Sequence, residues 1–192
     1  MYAAHAAAVP CAACQQRAPP WQACVAPLEY RFPVDAALKA LKFRGRLDYA
    51  PAFAALLAPF VARRLAAVDA LLPVPLHRLR HARRGYNQAC EIGRPLARAS
   101  GLPLVDLARR ARATRPQSGL DRAARRHNLR GAFRLAAPPA CRYPLILDDV
   151  MTTGETCRRL AQLLLDGGAE RVAVLTVARA AASDYAAAAE NV

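Results

Sequence analysis

The residues best suited to chemistry lie together near the C-terminal end of the chain. The segment reads Leu145-Ile-Leu-Asp148-Asp149-Val-Met151-Thr152-Thr153-Gly154-Glu155-Thr156. An apolar strand ends in two adjacent acids, a Thr/Gly turn follows, and a helix begins. In an open α/β sheet, ligands bind beyond the carboxyl ends of the strands. A turn at a helix N-terminus presents backbone N–H groups where the dipole favours an anion such as phosphate. Thr152, Thr153 and Thr156 add hydroxyl donors, and Gly154 lets the backbone approach closely. Two carboxylates just before the turn can accept hydrogen bonds from the vicinal hydroxyls of a sugar. The segment therefore has the parts to hold a sugar phosphate, with the acids on the diol and the turn on the phosphate. Helix capping alone would need neither the acid pair nor three threonines around a glycine.

The second chemical feature is charge. The chain has 192 residues, 28 basic against 14 acidic, and a formal net charge of +14. Only Lys39 and Lys42 are lysines. Leu76 to Arg134 holds 15 arginines against Glu91, Asp106 and Asp121, so this segment carries +12 of the excess. Such a concentration points to polyanionic partners, phosphates or nucleic acid. Few aromatics lie among the arginines, so stacking on nucleic-acid bases would be weak and sequence preference low. Arg122, Arg125 and Arg126 are the expected DNA contacts.

Cysteine usage suggests a third feature. Cys11-Ala-Ala-Cys14 is a C-x-x-C knuckle, half of a four-ligand zinc site. Trp21-Gln-Ala-Cys24 repeats the frame with Trp in place of the first Cys. Cys11, Cys14 and Cys24, with His5 as the one nearby nitrogen, leave two readings open: a Zn²⁺ site, or a rebuilt knuckle packed around Trp21. Cys90, Cys141 and Cys157 read as small apolar fillers. The N-terminus has no basic residues before its apolar stretch, which argues against a signal peptide. No uncharged apolar run reaches the roughly 18 residues of a membrane span. A cytoplasmic protein without a membrane span is expected.

These residues need elements to position them. Residues 1–30 read as a Cys-bearing appendage, 31–180 as the main domain and 181–192 as an Ala-rich tail. Residues 33–67 read as two helices broken at Gly45. Val68 to Pro75 is a buried strand entering a loop, and Gln88 to Ala99 a helix stopped by Gly101 and Pro103. Leu104 to Leu107 is a short strand candidate, and the arginine-rich stretch 108–130 an exposed excursion. Tyr143 to Leu147 and Arg171 to Val177 are buried strands around a helix from Gly154 to Leu165, which Gly167-Gly168 ends. Strands alternating with helices predict an α/β fold with a mainly parallel sheet.

The Asp-Asp…Thr-Thr-Gly-x-Thr segment resembles the phosphoribosyl pyrophosphate (PRPP) signature of type I phosphoribosyltransferases. Leu72-Pro-Val74-Pro75-Leu-His77 with Arg83-Arg84-Gly-Tyr-Asn87-Gln88 is similar to the first ligand loop of the ComF family. Arg112 to Leu120 and Arg125 to Phe133 look like that family's middle region. The resemblance runs from about Cys11 to Arg179 and implies a type I phosphoribosyltransferase fold with a hood or lid. It implies that Asp148 and Asp149 bind the ribose hydroxyls. Met151, Thr152, Thr153, Gly154, Glu155 and Thr156 would hold the 5′-phosphate. Val74, Pro75, Arg84, Asn87 and Gln88 would form the pyrophosphate loop, and Thr114, Gln117, Arg125 and Asn128 the polar residues of the lid. Mg²⁺ would accompany PRPP. The family link is to natural competence and uptake of single-stranded DNA, with helicase and recombination proteins as partners. Trp21 departs from the family's knuckle and puts zinc in question. No acceptor site stands out, with Tyr86 and Phe133 the candidates to line one. Three roles stay open: a Mg²⁺-dependent phosphoribosyltransferase, a DNA-handling protein, or a PRPP sensor without turnover.

Overall fold

The structure is a computed structural model that describes residues 14–15, 17–110 and 131–180. Among them run β1 (Ala23–Val25), β2 (Leu28–Glu29), α1 (Val34–Phe43), α2 (Tyr49–Arg64), β3 (Ala70–Pro73), α3 (Arg78–Arg84) and α4 (Gln88–Ser100). Then come β4 (Ala108–Arg110), β5 (Phe133–Leu135), β6 (Pro144–Met151), α5 (Glu155–Asp166) and β7 (Ala173–Arg179). The main sheet is parallel, in the order β1-β7-β6-β3, with β2 also paired to β7. Pro27 lies between β1 and β2 and has no N–H to donate, so this edge is broken into two short pieces. Residues 23–29, counted by composition with the N-terminal appendage, thus lie along β7 of the main sheet.

The expected alternation of strands and helices is observed, and it buries both faces of the sheet. Leu145 and Leu147 of β6 point into one cluster with Leu38, Leu41, Phe53, Leu57, Ile92 and Leu96. Ile146 points the other way, to Leu160, Ala161 and Leu164 of α5. Alternate side chains serve opposite layers, so a strand covered on both sides reads as one continuous apolar run. Helices α1, α2 and α4 cover one face. Helix α5 and the antiparallel pair β4–β5 cover the other. The Asp69 carboxylate accepts hydrogen bonds from the Arg142 and Tyr143 amides at 2.6 and 3.0 Å, which fixes where β6 enters beside β3.

Three elements differ from expectation. The stretch from Leu104 forms one bridge to Leu71 instead of a strand, because Pro103 and Val105 meet only Leu71. The start of the arginine-rich excursion is ordered: Ala108–Arg110 pairs with Phe133–Leu135. The loop after β3 contains α3, capped by His77 Nδ1 accepting from the Leu79 amide (3.2 Å) and ended by Gly85 at φ 84°. Among the described residues no helix is long and apolar enough to cross a membrane.

Candidate functional site

Strand β6 does not stop before the acids but carries them to its end. Asp148 pairs in register with Thr176 of β7, and Met151 with Arg179. On the other side Pro73 pairs with Leu147, and the Val74 amide donates to the Leu147 carbonyl at 2.8 Å. The parallel register therefore delivers the β3 loop and the acidic pair to the same end of the sheet. This is where an open parallel sheet takes ligands.

Asp149 is 4% exposed and ion-pairs through Oδ2 with Lys42 Nζ, in the last turn of α1. Asp148 accepts through Oδ1 from the Asp149 amide at 2.9 Å. Burial, and next the charge of Asp149, push the Asp148 carboxyl up to about 8, with Lys42 opposing. Burial also works to raise Asp149, but the charge and hydrogen bond of Lys42 outweigh it and hold that carboxyl below its ordinary value. Lys42 is raised for the same reason: burial disfavours its charge, and Asp149 more than restores it. Near neutral pH the two acids thus carry about one negative charge, set against one ammonium.

After β6 the chain turns at Gly154, which sits at φ 73° and is the N-cap of α5. A left-handed residue is strained for anything with a Cβ, so glycine is the fitting choice. Thr152, Thr153 and Thr156 are half-buried around this turn, and Met151 is buried beneath it. The Thr153 hydroxyl accepts from the Glu155 amide at 3.5 Å. The Glu155 carboxylate is buried and turns back along the helix to Arg159 Nε at 2.8 Å, so what Glu155 offers at the turn is its backbone.

Across from the turn, Asn87 uses both ends of its amide within the protein. It donates to the Val74 carbonyl at 3.0 Å and accepts from the Ala89 amide at 3.0 Å, capping α4. Gln88 is buried and accepts from Arg84 Nη1 at 2.5 Å. Val74 is buried and Pro75 half-buried. The last turn of α1 joins these parts. The Tyr86 hydroxyl donates to the Leu41 carbonyl, Arg84 lies 5.3 Å over the Phe43 ring, and Lys42 between them reaches Asp149.

Arginines gather beside these parts: the charge of Arg84 acts on Arg80, and that of Arg80 on Arg110. Burial and then Arg84 work against the charge on Arg80. Burial and then Arg80 lower Arg110 to about 10, with Asp148 opposing. Positive charge accumulated on partly buried arginines favours an anion. Lys42, Arg80 and Arg110 were not singled out by sequence. The signal for Lys42 was a lysine at a helix end in a chain whose cations are otherwise almost all arginine.

Of the two expected aromatic candidates for an acceptor site, Phe133 is buried and Tyr86 half-buried. Phe133 is 8% exposed and lies under Arg110 at 5.5 Å, and Tyr86 is tied to Leu41. Among the described residues the exposed rings are Phe32 (82%) and Phe43 (72%). Thr114, Gln117, Arg122, Arg125, Arg126 and Asn128, the expected lid and DNA residues, lie outside the described residues. So does Cys11.

The donors fit the groups expected here unequally. Two carboxylates and threonine hydroxyls are hard oxygen donors of the kind Mg²⁺ accepts, although Lys42 already supplies a positive charge to Asp149. At the cysteines, Cys24 is exposed as a residue, yet its sulfur meets Met151 Sδ at 3.8 Å. Burial, partly offset by Arg179, pushes that thiol up to about 11, away from the thiolate a metal binds. Among the described residues no three His, Cys, Asp or Glu side chains gather as a metal set.

No family model matches the chain. It is 41% identical over 177 residues to the DNA utilization protein YhgH of Escherichia coli O157:H7, covering 89% of this chain and 78% of that protein. The Salmonella typhi protein of the same name matches at the same identity and coverage. Competence protein F of Haemophilus influenzae is 36% identical over 180 residues, with 88% of this chain and 78% of that protein covered.

Proposed function

The chain belongs to the ComF family, and from that premise we propose that it binds PRPP or a closely related sugar phosphate in the service of DNA uptake or utilization. One observation carries the ligand reading. An acid pair at the carboxyl end of β6, Asp149 buried and Asp148 half-buried, leads directly into the left-handed Gly154 turn and α5, beside a β3 loop edged with arginines. The arrangement suits a type I phosphoribosyltransferase fold. Asp148 and Asp149 take the ribose diol, the amides and hydroxyls of 152–156 take the 5′-phosphate, and Arg84 with Arg80 and Arg110 faces the diphosphate.

Mg²⁺ brought in with PRPP would neutralise diphosphate charge. Phosphoribosyl transfer would also need an acceptor at ribose C1. Phe133 and Tyr86 are engaged elsewhere, which favours ligand binding without turnover over a transferase. The DNA role rests on the names of the relatives and on the basic segment between Leu76 and Arg134.

The test is thermal denaturation with and without PRPP and Mg²⁺. A site-specific ligand raises Tm by mass action. The Asp148→Asn/Asp149→Asn protein should show no rise, and a parent protein whose Tm does not move would refute the ligand assignment. Pyrophosphate release across a panel of bases and amines separates transferase from sensor.

A further inference from the structure

Residues 17–24 lie directly against the turn assigned above to the phosphate. The Trp21 ring borders the place a Gly154 side chain would point to: a Cβ built on Gly154 would lie in ordinary contact, 3.4 Å from Trp21 Cη2. Arg158, one helical turn beyond Gly154 and bonded to its carbonyl (2.8 Å), holds its guanidinium 5.6 Å from the centre of the same ring. Arg158 also donates to the carbonyls of Ala18 at 2.8 Å and Arg17 at 3.2 Å. Cys24 meets Met151, the residue that leads into the turn. Met151 and Arg158, on either side of Gly154, are therefore both held by one short segment from the other end of the chain, and its Trp21 ring borders the side-chain direction of Gly154.

We propose that Trp21 is a positioning residue for the 152–156 turn, and that residues 17–24 form the outer wall of the sugar-phosphate site. The word phosphate here rests on the preceding reading; the coupling of Trp21 to the turn does not. The physical case is local. A glycine at positive φ has many backbone conformations open to it, and anion binding needs its neighbouring amides held in one. A flat ring that leaves little more than a methyl's width beside Gly154, itself held by a cation–π contact from Arg158, restricts that freedom. Trp in the frame of a second knuckle thus has a use that cysteine could not supply. A thiol is too small to reach across to Gly154 and offers no face to Arg158.

Trp21 is the only tryptophan, so its emission reports on this place alone. The experiment compares the parent with Trp21→Phe and Trp21→Ala. Hydrogen exchange of the amides of 152–156 is followed without ligand, and ribose 5-phosphate binding is followed by calorimetry and, in the parent, by Trp emission. In Trp21→Ala the turn amides should exchange about tenfold faster, with amides of β3 unchanged. Ribose 5-phosphate should bind about ten- to a hundredfold more weakly. Trp21→Phe should restore most of both, and parent emission should change on binding. Unchanged exchange in a folded Trp21→Ala protein would overturn the proposal. So would equal ribose 5-phosphate affinity in a parent that does bind. If exchange accelerates but the parent binds no ribose 5-phosphate, the positioning role stands and the phosphate reading fails.

Discussion

Replacing Lys42 with Met tests the electrostatics of the site most severely. Met keeps most of the apolar stem that α1 buries and removes the ammonium from Asp149. The carboxylate left behind is 4% exposed, and breaking one side of a buried ion pair costs about 3–5 kcal/mol. The Lys42 side chain is 22% exposed, so some water reaches the pair and the lower figure, about 3 kcal/mol, is the better expectation near pH 7.5. For a chain of this length that lowers Tm by about 6–12 °C.

The pH dependence sharpens the test. Lys42 is what holds Asp149 below its ordinary value. Without it, burial is left as the dominant influence and raises Asp149, and a raised acid loses stability as pH rises. The deficit should therefore shrink at pH 5, where Asp149 takes up a proton. Adding Asp149→Asn removes the orphaned charge, so the double variant should recover most of the loss. Urea denaturation of the four proteins of this cycle at pH 5 and 7.5 gives the coupling energy directly. A Lys42→Met protein as stable as the parent at pH 7.5, or a deficit identical at both pH values, would refute the assignment.

Three further outcomes are expected. Burial holds the folded Asp148 carboxyl near 8, so its contribution to stability falls as pH rises from about 4 to 8; Asp148→Asn should be more stable than the parent at pH 8 while binding no PRPP, and a variant destabilised there would count against the shift. Gly154→Ala should lose about 1–2 kcal/mol from the left-handed backbone and weaken ribose 5-phosphate binding, since its Cβ would make only ordinary contact with Trp21; full affinity would remove the turn from the site. Fluorescent single-stranded DNA should bind more weakly as salt rises, and more weakly again after neutralising Arg122, Arg125 and Arg126; unchanged affinity would move the contact elsewhere, with α3 the next basic element to neutralise.

The central site was legible in the sequence because its information is local. An apolar run, two acids, a Thr/Gly turn and an amphipathic helix follow one another without interruption, and β6, the turn and α5 appear in that order. The two-helix reading broken at Gly45 and the helix from Gln88 rest on the same kind of signal. What escaped depends on partners distant in the chain. Ala108–Arg110 becomes a strand only because Phe133–Leu135 returns beside it. Residues 23–29 become strands only because β7 is there to pair with. Helix α3 has four arginines and no buried residue, so no apolar period announces it. The role of Lys42 depends on α1 bringing its last turn to Asp149 near the end of β6. Trp21 read as a missing cysteine, and its contact with Gly154 spans 133 positions of sequence.

Calorimetric titration of PRPP with Mg²⁺ into the parent protein and into Asp148→Asn/Asp149→Asn tests the account most directly. Saturable one-to-one binding in the parent, lost in the double variant while its fold is retained, is the predicted result. Absence of binding in the parent, or equal binding in both proteins, would contradict it.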